Sequence, residues 1–131
     1  MTGIAIFAHG SSVESANEAV RGFTRQLAGR GGFPLIETSF LELGKPDLPE
    51  AAQRLIARGA KRIVVIPYFL TVGIHLKRDL PRIVEELKDI YQDVEFEITA
   101  PMDGHPALLD VLLDRAKSAL GGGNGSESQA N

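Results

Sequence analysis

The chain has 131 residues, about the size of one domain, with 44% hydrophobic and 24% charged residues, a balance ordinary for a globular protein in water. It contains no cysteine, which excludes a disulfide framework, a thiolate metal site and a cysteine nucleophile. A net charge of −3 opposes a nucleic-acid partner, and with no basic leader and no apolar run of membrane-spanning length the protein is expected to be cytoplasmic, with no membrane partner.

The hydrophobic pattern predicts strand and helix in alternation, four times over. The first strand is expected over 3–8, Gly3-Ile4-Ala5-Ile6-Phe7-Ala8, and ends at His9 in the turn His9-Gly10-Ser11-Ser12. A helix over 13–29 follows, with Ser11 and Glu14 as its capping box and Ala16, Val20, Phe23 and Leu27 as its core-facing stripe. The second strand, 35–41, leads into Glu42. Asp47 then caps a helix over 48–58, with Pro49 in its first turn and Gly59 as its stop.

The third strand, 62–70, is the most apolar run in the chain. A long connection, Thr71 to Arg78, carries His75 to a third helix over 79–92, for which Asp79 is the expected N-cap and Leu80, Ile83, Val84 and Leu87 the buried stripe. Lys77-Arg78-Asp79-Leu80-Pro81 echoes Lys45-Pro46-Asp47-Leu48-Pro49, and both read as helix starts. The fourth strand, 94–100, sets Val94, Phe96 and Ile98 against Glu95, Glu97 and Thr99, the pattern of an edge strand with one wet face. Pro106 opens a last helix, 105–120, with Leu109, Leu112, Leu113 and Ala116 as its apolar stripe. Residues 1–120 then form a single α/β domain, and the glycine-rich segment 121–131 is a flexible tail by composition.

Such alternation implies parallel strands with right-handed crossovers and helices on both faces, a three-layer, flavodoxin-like sandwich. Strands one and three are apolar throughout and belong in the centre, so the predicted order is 2-1-3-4. The topological switch point then falls between strands one and three, where ligands bind in open α/β sheets.

His9 and His75 follow those two central strands, and Glu42 follows strand two. Two nitrogens and one oxygen at a single sheet edge make an incomplete shell for a first-row divalent ion, with positions left open for substrate. The small residues after His9, with a helix N-terminus beyond them, suit the approach of an anion or a broad ligand. His105, in Gly104-His105-Pro106, reads as a helix-start residue.

Ala8-His9-Gly10-Ser11, Phe40-Leu41-Glu42, Pro67-Tyr68-Phe69-Leu70, Gly73-Ile74-His75, Asp79-Leu80-Pro81 and Gly104-His105-Pro106 occur in that order. The ordered set, spanning residues 1 to about 120, resembles the short single-domain sirohydrochlorin chelatases of the class II tetrapyrrole chelatase family, without the histidine-rich tract of some members. The resemblance implies insertion of Co2+ or Fe2+ into sirohydrochlorin, on the route to cobalamin or siroheme, without ATP or an organic cofactor; the ligand types suit Ni2+ equally. It implies that His9 and His75 hold metal and accept pyrrole protons with Glu42 assisting, and that the protein is a homodimer. Gly10, Ser11, Gly73 and Lys77 are then expected to meet the macrocycle. The charge of a carboxylate-rich tetrapyrrole would be offset by helix N-termini and by Lys45, Lys77, Arg78 and Arg82.

Three other readings compete. A histidine phosphatase also places a His-Gly pair after its first strand, but needs an arginine where this chain has Ala8. A response-regulator receiver needs acidic residues where His9 and Pro67 stand. A metal carrier would share the ligands without the turnover.

Overall fold

Four parallel strands, β1 (Thr2–Ala8), β2 (Ile36–Phe40), β3 (Arg62–Pro67) and β4 (Glu95–Ile98), form a sheet in the order β2-β1-β3-β4. The helices α1 (Glu14–Gly31), α2 (Leu48–Ala57), α3 (Ile74–Ile90) and α4 (Pro106–Leu120) alternate with them. The structure is a computed structural model that describes residues 1–70 and 73–121, with His75 described by its backbone alone. Thr71 and Val72 of the connection before α3, and residues 122–131 of the expected tail, lie outside the described residues. Among the described residues no helix is long and apolar enough to cross a membrane.

Contacts divide the chain into two units, Met1–Pro101 and a second from Met102 onward. The first holds the sheet. β1 pairs with β2 from Ile4↔Ile36 to Ala8↔Phe40, and with β3 from Thr2↔Arg62 to Phe7↔Pro67. Side chains alternate across this register. Ala5, Phe7, Ile63, Val65 and Phe96 point to one face and close the core with Leu48, Ala52 and Leu55 of α2 and Leu76, Leu80, Val84 and Leu87 of α3. Ile4, Ile6, Val64 and Ile66 point to the other, where α1 packs on β2. On β4, Phe96 is buried while Glu95 and Glu97 are exposed, as the alternating pattern predicts.

Local signals explain α2 well. The Asp47 carboxylate accepts from Glu50 N at 2.9 Å, and Glu50 accepts from Asp47 N at 3.0 Å, a complete capping box. Gly59 ends the helix with φ +105.

The start of α3 departs from expectation. The helix begins at Ile74, with Gly73 as N-cap, so Asp79 and Pro81 lie within it and His75 sits in its first turn. Proline lacks the N–H for one helical bond, which argues locally for a start near Asp79. The core overrides this, because continuing the helix back through Leu76 joins that side chain to the buried stripe of Leu80, Val84 and Leu87.

The start and packing of α1 also differ. Its N-cap is Val13, which has no side-chain cap, and no Ser11–Glu14 box forms. Ser11 Oγ accepts from Val13 N at 3.0 Å, while Glu14 pairs with Arg21 at 2.6 Å. The buried residues of α1 are the polar Asn17 and Thr24; in the expected stripe, Val20 and Leu27 are half-buried, Ala16 is exposed and Phe23 is 55% exposed. Polar groups face β2 because loop carbonyls there need donors, which Asn17 and Arg21 supply.

The second unit contains α4. Its N-cap is His105, whose Nδ1 accepts from Ala107 N at 3.0 Å, with Pro106 in the first turn as predicted. None of its residues is buried, against the expectation that Leu109, Leu112, Leu113 and Ala116 face a core. Helical spacing specifies an apolar stripe, but not what covers it.

Candidate active site

The site begins where β1 and β2 run out. Their ladder continues past the strands, with Leu41 N donating to Ala8 O at 2.8 Å and Glu42 N to His9 O at 3.1 Å. Gly10 follows at φ +94, and a Cβ there would overlap the carbonyl oxygen of Glu42. Glycine is therefore required twice, for its backbone angle and for the close approach of the Glu42 segment. The result sets two side chains face to face: His9 Nε2 lies 3.7 Å from Glu42 Oε2.

Both side chains are more than half exposed, at 58% and 57%, and so are open to an incoming ligand. His9 Nδ1 lies 3.2 Å from the carbonyl of Gly10. A carbonyl only accepts, so in the tautomer with the proton on Nδ1 this contact is a hydrogen bond and Nε2 keeps a free lone pair. That tautomer suits both metal ligation and proton acceptance.

Asn17 holds this edge together. Its Oδ1 accepts from Ser11 N, and its Nδ2 donates to Ser11 O and Leu43 O, each at 2.9 Å. One buried side chain thus ties the turn after His9 to the loop after Glu42. Leu43 itself sits at φ +60. Arg21 adds a second tie, donating to Lys45 O at 3.0 Å and lying over the Phe40 ring at 5.2 Å. Glu14 and Glu18 flank its guanidinium and hold it charged; in return Arg21 and then Asn17 keep the Glu14 carboxyl below its ordinary value of 4.5. Sequence reasoning passed over Asn17 and Arg21. The available signal was an amide on the helix face that also carries Val20 and Leu27, one turn from Glu14.

β3 reaches the same edge beside β1, with Tyr68 N donating to Phe7 O at 2.8 Å. His75 lies beyond it in the first turn of α3; its side chain is outside the described residues. Gly73 has φ −70 and ψ 170, and a Cβ there would meet nothing, so its backbone does not demand glycine. Lys77 donates its backbone N–H to Gly73 O at 2.9 Å. Lys77 lines an apolar cavity of about 170 Å³ together with Pro67, Leu76, Leu80, Pro81 and Ile98. Ser11 spends its backbone N–H on Asn17, while its hydroxyl, accepting from Val13, keeps a hydrogen to donate.

Among the described residues no three of His, Asp or Glu converge on one point to hold a metal. His9 and Glu42 are brought together as a pair. His105 serves as a helix cap, as its sequence context predicts.

The sequence profile of the CbiX family matches residues 3–119. The chain belongs to the CbiX family. This CbiX chain is 34% identical over 120 residues to the sirohydrochlorin cobaltochelatase of Sulfolobus acidocaldarius, covering 92% of itself and 94% of that protein. It is 34% identical over 118 residues to the chloroplastic sirohydrochlorin ferrochelatase of Arabidopsis thaliana, covering 90% of itself and 52% of that relative, so it spans about half its length. Among solved structures it is similar to the sirohydrochlorin chelatase SirB from Bacillus subtilis subspecies spizizenii in complex with cobalt, with a TM-score of 0.82, 25% identity, and coverage of 88% of this CbiX chain and 50% of SirB.

Proposed function

We propose that this chain inserts a divalent metal ion, Co2+ or Fe2+, into sirohydrochlorin. The observation that carries the reading is the His9–Glu42 pair, 3.7 Å apart at the sheet edge, in a chain of the CbiX family. Insertion removes two pyrrole N–H protons from the macrocycle as the cation sheds water and takes their place. His9, with Nδ1 held by the Gly10 carbonyl, offers Nε2 to the cation or to a pyrrole proton. Glu42 adds an anionic oxygen that draws in the metal and offsets charge on a protonated His9. His75, in the first turn of α3, is the second imidazole of the site.

Gly10 and Ser11 on one side, and Gly73 and Lys77 on the other, border the macrocycle. The apolar cavity beside Lys77 suits a pyrrole edge, and the Lys77 ammonium suits a peripheral carboxylate. One sheet edge provides one wall for so broad a ligand. A homodimer in which two such edges face one cleft supplies the other. The exchange of two protons for a dication needs neither ATP nor an organic cofactor, and the protein works in the cytoplasm.

An anaerobic absorbance assay of sirohydrochlorin with Co2+, Fe2+ or Ni2+ tests the reading. The chain should speed metallation by at least one of these ions, and His9→Ala and His75→Ala should each lose about 10²–10⁴-fold in rate. Metallation at the uncatalysed rate with all three ions, or two alanine variants as fast as the parent, would overturn it.

A further inference from the structure

Among the described residues Leu43 is the one non-glycine residue at positive φ, with φ +60. A left-handed backbone strains a bulky side chain, and glycine or asparagine adopts it at lower cost. The strain is imposed by the neighbours of Leu43. Asn17, itself 2% exposed, donates Nδ2 to Leu43 O at 2.9 Å. Gly44 lies so close to the Phe40 ring that a Cβ there would come within 2.9 Å of it. The backbone is pinned at both points, and Leu43 absorbs the turn between them.

The leucine does not offset this strain by packing. Leu41, two positions earlier, packs against the core, whereas Leu43 is 60% exposed. A leucine left in solvent adds little to the fold. Strained residues that the fold does not use gather at functional sites. The residue directly before Leu43 is Glu42, which faces His9 at 3.7 Å. The same juxtaposition recurs across the sheet edge, where Ile74, 82% exposed, directly precedes His75. A carboxylate and an imidazole of the site each have an exposed apolar neighbour.

We propose that Leu43 is a substrate-contacting residue, held in the left-handed conformation so that its side chain lies against the flat apolar face of the tetrapyrrole while Glu42 serves the metal. The inference rests on the chelatase reading above and adds to it a residue that recognises the face of the ring, as distinct from its peripheral carboxylates. It makes the Leu43 position a place where the fold gives up stability for substrate binding.

Leu43→Gly and Leu43→Asn relieve the strain and remove the apolar contact, and Leu43→Met keeps the contact. The first two should unfold at or above the parent's thermal midpoint. Their KM for sirohydrochlorin should rise about tenfold through loss of one apolar contact. Their kcat and their affinity for Co2+ alone, measured by titration without tetrapyrrole, should stay within about twofold of the parent, because one apolar contact to the ring face is uniform binding. Leu43→Met should restore KM to within about twofold. An unchanged KM for sirohydrochlorin in both strain-relieving variants overturns the inference. So does a loss of Co2+ affinity as large as the change in KM, which would make Leu43 a support for Glu42 only, or a fall in thermal midpoint in both variants. Parent turnover separates the two readings: a parent that metallates sirohydrochlorin beside variants with unchanged KM removes Leu43 alone, and a parent without turnover removes both.

Discussion

The side-chain amide of Asn17 donates to the carbonyl of Leu43 at 2.9 Å, across 26 positions of sequence. The same amide donates to Ser11 O, and its oxygen accepts from Ser11 N. Asn17→Ala leaves these backbone groups without their partner in a part-buried setting, which costs about 1–3 kcal/mol per unsatisfied group. Urea unfolding should show a loss of at least that size. Metallation should fall with it, since the turn after His9 and the loop after Glu42 lose their common tie. Parental stability in the alanine variant would remove Asn17 from this role.

Two glycines at the edge should respond in opposite ways. Gly10→Ala meets both a positive φ and the Glu42 carbonyl, so it should destabilise the fold by about 1–3 kcal/mol and displace His9. Gly73→Ala meets neither obstacle and should fold as well as the parent. Thermal unfolding of the pair, side by side, checks the contrast.

Glu42→Gln keeps an oxygen and loses the charge. Its metallation rate should fall by about tenfold, less than the 10²–10⁴-fold expected for loss of a positioned base at His9. The apparent KM for metal should rise more than kcat falls. An effect equal to that of His9→Ala would make Glu42 the principal base.

The helix signal at Asp47 is real and the one at Asp79 is not. Asp47→Ala removes the acceptor for Glu50 N and should cost about 0.5–2 kcal/mol. Asp79 lies inside α3 and faces Arg82 at 3.8 Å, a half-exposed pair, so Asp79→Ala should change stability by about 0.5 kcal/mol or less. Denaturant midpoints lowered equally in the two variants would place the start of α3 at Asp79.

Stability should decline in acid through the first turns of α1 and α2. The Arg21 guanidinium, then Asn17, holds the Glu14 carboxyl below 4.5, and the Asp47 backbone N–H does the same for Glu50. Carboxyls lowered in the folded chain bind fewer protons than in the unfolded chain. Their contribution is therefore complete above about pH 4.5 and is lost as pH falls through the lowered values. Glu14→Gln should flatten the dependence of the unfolding midpoint on pH below 4.5. An unchanged slope would show that Glu14 carries no share of it.

The sheet was legible because its determinants are local and repetitive. The apolar runs at Ile4 to Ala8 and Ile63 to Ile66, the alternation at Glu95 to Thr99 and the Asp47 capping box each act over a few residues, and parallel order follows from strand–helix alternation. The place of His9 and Glu42 at one edge came with that order, since both follow strands that pair in register. The start of α3 was not legible. Pro81 and Asp79 signal a helix start locally, and only burial of Leu76 in the assembled core outweighs them.

The sequence by itself determined four strands, four helices, their order in the sheet and the edge at which His9 and Glu42 lie, because hydrophobic period and chain handedness are properties of short segments. Tertiary structure alone decided which side of α1 is buried, that Asn17 rather than a capping box organises the turn after His9, and that the carbonyl of Glu42 crosses Gly10 closely enough to exclude a side chain. Those outcomes depend on groups 26 or more positions apart meeting at hydrogen-bond or van der Waals distance. Such distances are set by the packing of β1, β2 and α1 against one another, which no single segment encodes.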